Sequence, residues 1–490
     1  MNPAANMTAP QQAFTSDRSL IAYLLQIIVA LSQELQALRT KVAALEKDSS
    51  CSHKPPSSDG LNKQRRASKR GGSGRKPGGQ PGHRGRSRRN VPPHQVTETI
   101  PHQPQACEQC GAAFTEQHLS VAVERRQVWE IPDIKPLLQE HVFYQTSCSC
   151  GHTTRLPVPE WIYSGMGDNL QSHIAYLTAE AKLSRRSLQT ILNDVFHVPV
   201  ALGTIQNRLE DTAEILTPVC DELENELSQQ AVINIDETSY PHNNTLNWLW
   251  AFVTRSFVFF TIQASRGSQV LRQILGECYD GIIICDRFSA YIKYHKDRAC
   301  GFIQFCWAHI IRDIKALKHH RAVESEQLFA KLMCQRIGAV FRLWHTHQRN
   351  KISRAQLIAA TEPIIAEMRT FVEANQKNSC HDVAKFNRQL LKRWHSLFTF
   401  IYHEGVEPIR HRRTERLIRP GVQTRKISYG TRSQKGQLLR ARLLTASQSC
   451  RIQQRNALNF YRAAIQAYRH NLAMPSLLIN HKEQQLVRTT

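Results

Sequence analysis

Val232-Ile-Asn-Ile-Asp236 and Gly281-Ile-Ile-Ile-Cys-Asp286 decide how this chain is read. Each is a short apolar run that stops on an aspartate, as a buried strand does at a sheet edge. Between them, Trp248 to Val253 and Phe257 to Ala264 read as two further strands, joined by Thr254-Arg-Ser256. Ser268 to Leu275 then reads as a helix. The order is strand, strand, strand, helix, strand, with an Asp closing the first and the fourth. In a mixed sheet those two strands can lie side by side, so their terminal carboxylates would meet at one edge. Two carboxylates a few ångströms apart repel unless a cation neutralises them. Carboxylate oxygen is the ligand type that Mg²⁺ and Mn²⁺ prefer. Two such ions about 3.5–4 Å apart can activate an attacking oxygen and stabilise a leaving one in phosphoryl transfer. Asp236 and Asp286 are therefore candidate catalytic residues and metal ligands. A single Asp after a strand is ordinarily a turn or helix cap; the ordered pair is what points to chemistry.

The bulk numbers agree with a polyanionic partner. The chain has 490 residues, with 64 Lys+Arg against 40 Asp+Glu and a formal net charge of +24. That length calls for several domains, and that charge favours nucleic acid, with an anionic membrane surface as the rival. The longest apolar stretch, Leu20 to Leu31, is interrupted by Gln26 and is too short to span a bilayer. No basic start with a small-residue cleavage site is evident. The thirteen cysteines are an odd, scattered set, which fits a reducing cytosol better than a disulfide framework. The expected location is cytoplasmic, on the bacterial nucleoid, with no membrane partner.

Upstream of the strands, residues 17–48 read as one long helix. Leu24, Ile28, Leu31, Leu35, Leu38, Val42 and Leu45 alternate by four and three, the 3.5-residue period of a coiled coil. Glu34, Arg39, Lys41 and Glu46 flank that seam. A homo-oligomer is expected, and an amphipathic helix lying on its own core is the plain alternative. Residues 49–95 are rich in Gly, Ser, Pro and Arg and read as a disordered basic linker. Arg65, Arg66, Arg70, Arg75, Lys76 and Arg84 are candidate phosphate contacts there; a solvated spacer is the alternative.

Residues 96–160 hold Cys107-Glu-Gln-Cys110-Gly and Cys148-Ser-Cys150-Gly. Cys-x-x-Cys-Gly resembles a zinc knuckle, in which the glycine permits the tight turn that aims N–H groups at thiolates. Cys107, Cys110, Cys148 and Cys150 would make a closed structural Zn²⁺ site. The second pair is tighter than usual, so His102 and His152 stand as alternatives to a cysteine ligand. Residues 161–225 are helical in pattern. Ser184 is a candidate N-cap for a helix carrying Leu188, Ile191 and Leu192, and Gly203-Thr204 opens a second. The spacing resembles a helix-turn-helix, with Gln206, Asn207 and Arg208 on the presumed recognition helix. Many helical hairpins share that spacing.

Larger blocks carry a family resemblance. Asn234-Ile-Asp-Glu-Thr238, Trp248-Leu-Trp250, Asp286-Arg-Phe-Ser-Ala-Tyr291 and Cys306-Trp-Ala-His-Ile-Ile-Arg-Asp313 resemble the DDE transposases of the insertion sequence sixty-six family. So do Lys54-Pro-Pro-Ser-Ser-Asp-Gly60, Arg75-Lys-Pro-Gly-Gly-Gln-Pro-Gly-His83, Thr414-Glu-Arg-Leu-Ile-Arg-Pro420 and Arg425-Lys-Ile-Ser-Tyr-Gly430. The resemblance covers nearly the whole chain in one order. It implies an RNase H-like mixed-sheet core, multidomain α/β overall, with a helical insertion over 306–400 before the last acid. It carries the third acid onto Glu415, where the ERLIRP block begins; Glu404 and Glu407 are competitors. Members usually carry asparagines just before that acid, where this chain has Ile409-Arg-His-Arg-Arg413. Glu237 reads as structural, since strand alternation turns it away from Asp236. His309 reads equally as a phosphate contact or a packed histidine. Arg412, Arg413, Arg416, Arg419, Arg425 and Lys426 form a dense cluster of candidate phosphate binders.

The resulting map is a coiled-coil helix (17–48), basic linker (49–95), zinc-binding domain (96–160), helical DNA-binding region (161–225), catalytic domain (226–430) and helical C-terminal element (431–490). The expected function is a DNA transposase using Mg²⁺ or Mn²⁺ to cleave element ends and transfer strands into target DNA, one metal site serving both in-line steps. Small accessory proteins of the same element are implied by the resemblance. The alternatives are a catalytically inactive, DNA-binding repressor and a plain metal-dependent nuclease.

Overall fold

The computed structural model describes residues 17–45, 80, 82–85, 88, 90–297, 300–319, 324–409 and 411–478. Arg65, Arg66, Arg70, Arg75 and Lys76 lie outside the described residues, as do residues 46–48 of the expected first helix. The chain divides into two compact units, Asn62–Leu137 and the remainder, Met1–Leu61 with Leu138–Thr490.

Among its described residues, the smaller unit has little regular structure. Gln127 clasps Val91 through two hydrogen bonds: it accepts from the Val91 N–H at 2.8 Å and donates to the Val91 carbonyl at 2.9 Å. An isolated bridge pairs Ala106 with Ala113 around the Cys107–Cys110 turn.

In the larger unit, strands β1 (Gln145–Ser147) and β2 (Thr153–Arg155) form a small antiparallel hairpin. The main sheet holds β3 (Val232–His242), β4 (Thr245–Val253), β5 (Val258–Gln263), β6 (Ile282–Cys285) and β7 (Phe302–Phe305), in the order β5-β4-β3-β6-β7. β3, β4 and β5 pair antiparallel; β3, β6 and β7 pair parallel. The first and fourth of the strands expected from sequence are thus neighbours, and the mixed five-stranded sheet with many helices is consistent with an RNase H-like core. The length of β3 differs from the expectation. It does not stop at Asp236 but continues to His242, because β4 keeps pairing with it from Glu237↔Trp250 to His242↔Thr245. The hairpin closes through Asn243 and Asn244, both at positive φ (45° and 61°), the two-residue turn that suits the twist of paired strands.

Alternation along the strands builds two cores. Ile233, Ile235, Trp250 and Phe252 join the large cluster on one face, which also holds Val270 and Leu271 of the helix Ser268–Leu275 and Tyr291 and Tyr294 of the helix Ser289–Asp297. Tyr240, Leu249, Ala251, Val253, Val258 and Phe260 face the other side, against Leu417 and Ile418 of the helix His411–Ser428 and Ala441 and Leu444 of the helix Gln434–Ile452. Gly421 allows that approach: a Cβ there would sit 2.3 Å from the Leu249 side chain.

The expected helical insertion is present as Trp307–His319, Glu324–Gln348, Arg354–Ala374 and His381–Leu391. Upstream lie the helices Asp168–Ala179, Arg185–Asp194, Leu202–Ile215 and Thr217–Leu227. Ser184 caps the second of these, accepting from the Ser187 N–H at 3.1 Å. The last helix, Ala457–Arg469, packs on Asp168–Ala179, and Arg469 donates to Asp168 at 2.5 Å, to Gln171 at 2.5 Å and to the Met166 carbonyl at 3.1 Å. The first helix runs Asp17–Leu45, and Leu24, Ile28, Leu31, Leu35 and Leu38 along it are exposed. No described helix is long and apolar enough to cross a membrane.

Candidate active site

The β3–β6 register matches Val232 with Ile282 and Asn234 with Ile284. Carried two residues further, it sets Asp236 level with Asp286. Asp236 is held by its own strand, its Oδ1 accepting from the Glu237 N–H at 3.0 Å. Asp286 follows β6 directly and accepts from the Phe288 N–H at 2.8 Å, an Asx-type turn that leads into the helix Ser289–Asp297. Glu415 lies near the start of the helix His411–Ser428, which packs on the Asp236 face of the sheet.

Electrostatics ties the three together. The Asp236 carboxyl is pushed well above the usual carboxylate range, first by burial of its carboxylate, then by repulsion from Asp286 and from Glu415. Asp236 is partly exposed as a residue, so the protein packed around the carboxylate itself is what raises it. Glu415 is about half exposed and has Arg312 4.0 Å away. Glu404 and Glu407, the competitors for the third role, do not figure among the groups that perturb Asp236.

Glu237 faces away from Glu415, as alternation requires. Its side chain is only 2% exposed. Arg266 donates to its Oε1 from Nε at 2.8 Å and from Nη2 at 2.7 Å, and the Tyr291 hydroxyl donates to its Oε2. Burial and the neighbouring Asp236 and Asp286 raise its carboxyl from 4.5 to about 7. Nearby, Arg287 pairs with Asp313, and His309 is buried.

The basic candidates divide. Arg416, Arg419 and Lys426 are exposed. Arg425 is half-buried and donates to the Ser239 carbonyl, to Ser239 Oγ at 2.6 Å and to Thr238 at 3.3 Å, so it fastens its helix to β3. Gln206 accepts from Arg185 at 2.9 Å and donates to Glu210 at 2.7 Å, while Arg208 pairs with Asp211 at 2.6 Å. Both are engaged within the protein, whereas Asn207 between them is exposed, as is Arg84.

The two cysteine turns are built alike, each within its own unit. In one, Gly111 (φ +74°) donates to the Cys107 carbonyl and the Cys107 N–H to Ala112, both at 2.9 Å. In the other, Gly151 (φ +85°) donates to the Cys148 carbonyl at 2.9 Å and the Cys148 N–H to His152 at 2.8 Å. Hydrogen bonds from the Cys110 and Gln109 backbone lower the Cys107 thiol, and those from Cys150 lower Cys148. A lowered thiol is a better metal ligand. Among the described residues, no three or more His, Cys, Asp or Glu side chains already stand together as a metal cage. Cys278 and Cys300 depart from the expectation of reduced thiols: they form a disulfide, with Cα atoms 6.1 Å apart where β6 and β7 begin.

The Transposase IS66 family matches residues 164–438, more than half of the chain and the whole of the sheet with its carboxylates. The chain belongs to this family. Residues 7–89 match a family of unknown function (DUF6444). No curated protein matches the chain. Membership of the IS66 family makes it a transposase in general terms. The IS66 match begins after the cysteine turns and ends within the helix Gln434–Ile452, so the Ala457–Arg469 helix lies beyond it.

Proposed function

We propose that this IS66-family protein cleaves the ends of its element and joins the freed 3′-hydroxyls to target DNA by in-line phosphoryl transfer. The observation that supports the reading is the register that sets Asp236 level with Asp286 on a neighbouring parallel strand, with Glu415 close enough for its charge to raise the Asp236 carboxyl. Their chemistry fits a divalent cation: Asp286 and Glu415 raise the proton affinity of Asp236, and a hard metal relieves such repulsion between oxygen donors. Asp236, Asp286 and Glu415 would hold Mg²⁺ or Mn²⁺, which supplies Lewis-acid activation of the attacking and leaving oxygens. Arg312, 4.0 Å from Glu415, would offer that side chain a counter-charge when no cation is bound. Exposed Arg416, Arg419 and Lys426 on the Glu415 helix would take DNA phosphates beside the reacting bond.

Each cysteine turn offers zinc a thiolate pair, and the basic linker adds DNA affinity without sequence choice. The exposed seam from Leu24 to Leu38 supports a homo-oligomer through a coiled coil. The deciding assay incubates labelled element ends with target DNA and Mg²⁺. Wild-type protein should join them, and Asp236→Asn or Asp286→Asn should bind ends without cutting. Joining by either variant rejects the site. Binding without cleavage by the wild type would leave the repressor reading, and cleavage without joining the nuclease.

A further inference from the structure

Glu237 and Arg266 stand outside the three-acid assignment, yet they contact both sides of it. Alternation along β3 keeps Glu237 off the Asp236 face, so it is not a fourth ligand on that side. Both of its oxygens are committed, Oε1 to Arg266 at 2.7 and 2.8 Å and Oε2 to the Tyr291 hydroxyl. Arg266 is stacked in turn on Phe288, 3.8 Å from its ring centre, and on Trp248 at 4.6 Å. Phe288 is the residue whose N–H holds Asp286. Tyr291 lies in the helix that follows. Two arms therefore leave Glu237, one through Arg266 and Phe288 and one through Tyr291. Both end on residues 286–291.

A buried ion pair is a poor way to gain stability, since desolvation offsets much of the attraction and an apolar replacement is often neutral. Directional, bidentate contacts do supply fixed geometry. We propose that Glu237 and Arg266 are positioning residues, a brace that sets the Asp286 turn at the distance from Asp236 that a divalent cation requires. The proposal rests on the phosphoryl-transfer reading above. The brace touches neither substrate nor reacting atoms and acts through Asp286.

The test uses the full chain carrying Glu237→Gln with Arg266→Met, a neutral pair that leaves no uncompensated buried charge. Arg266→Lys and Tyr291→Phe serve as milder variants. Mn²⁺ affinity is measured by calorimetry, with Asp236→Asn as the blank, and joining of labelled ends is followed across Mg²⁺ concentration. Thermal unfolding in chelator and end-DNA affinity report on the fold. Groups that orient metal ligands typically change affinity or activity by about 10- to 100-fold when removed. The double variant should keep its unfolding midpoint and DNA affinity, lose Mn²⁺ affinity to that extent, and need correspondingly more Mg²⁺ for half-maximal joining. Arg266→Lys should restore part of the loss, since it keeps the charge without the planar fork. Mn²⁺ affinity within about twofold of wild type in a folded double variant, well short of that range, overturns the brace. If wild-type protein joins no ends at any Mg²⁺ concentration, the transposition reading falls, and the Mn²⁺ calorimetry still decides for or against the brace.

Discussion

Replacing Asp236 by Asn should make the metal-free protein more stable while ending its chemistry. The Asp236 carboxylate is disfavoured by burial and by two like charges, Asp286 and Glu415. Asn keeps the oxygen that accepts from the Glu237 N–H at 3.0 Å and removes the charge. The neighbouring Glu237 sets the scale. Its carboxyl rises from 4.5 to about 7, and at about 1.4 kcal/mol per unit that represents about 3 kcal/mol of penalty on the ionised form. Asp236 shares that cluster and its carboxyl is raised by burial and by the same neighbours, so the variant should unfold at a higher midpoint than wild type at pH 8. The sign with pH follows from linkage. Carboxyls raised in the folded state hold protons there that the unfolded chain has released, so wild-type stability falls as pH climbs from about 4.5 to about 7, the interval Glu237 marks. The advantage of Asn should be smallest in acid, where Asp236 is protonated in both states, and should grow as pH rises. Thermal unfolding of both proteins in chelator at pH 4 and pH 8 tests this, followed by titration with Mg²⁺. Mg²⁺ should raise the wild-type midpoint, because binding stabilises the folded state, and leave the variant unchanged. A variant less stable than wild type at pH 8 in chelator, or equal Mg²⁺ stabilisation of both, would refute the reasoning.

The other expectations concern parts further from the acids. Arg469→Met removes three donated bonds from a side chain that is 3% exposed and leaves Asp168 unpaired; denaturant unfolding should show a loss of about 3–5 kcal/mol. Leu31→Asp with Leu38→Asp places charge in the apolar seam and should dissociate an oligomer; light scattering that gives one mass for both proteins counts against it. Cys107→Ser should lower bound zinc in elemental analysis while Mg²⁺-dependent joining persists. Changing Arg65, Arg66, Arg70 and Arg75 to Gln should weaken binding to all DNA alike and flatten its salt dependence, by about one log–log unit for each phosphate no longer neutralised. Asn207→Ala should instead reduce preference for element ends, and the two effects separate in binding curves at several salt concentrations.

Much of the core was legible because its signals are local. Strand runs around Asp236 and Asp286, the Ser268–Leu275 helix and the Ser184 cap follow from periodicity and capping, which need only neighbouring residues. The adjacency of β3 and β6 also followed from the element order. The full length of β3 was missed because Glu-Thr-Ser-Tyr-Pro-His lacks an apolar run; its pairing with β4 extends it. Asn243-Asn244 was the available signal, a pair suited to positive φ. β7 escaped for a different reason: its four residues are shorter than the window in which period is visible. At the site, alternation turned Glu237 away from Asp236, but no sequence spacing announces Arg266 and Tyr291, which reach it from two other elements. Arg425 and Gln206 show the converse, since a basic or polar side chain in the right motif can be occupied by its own protein.

The clasp between the Ala457–Arg469 helix and the Asp168–Ala179 helix also fixes an order of events during synthesis. Arg469 and Asp168 are 301 residues apart. At about 5–20 residues per second, Arg469 leaves the ribosome about 15–60 seconds after its partner. Through that interval the Asp168–Ala179 helix lacks a partner on which it packs in the finished protein. The helical region ahead of the sheet therefore completes its packing only once the Ala457–Arg469 helix has been made, and a premature stop between Glu415 and Ala457 releases a chain that carries all three carboxylates on an unfinished body.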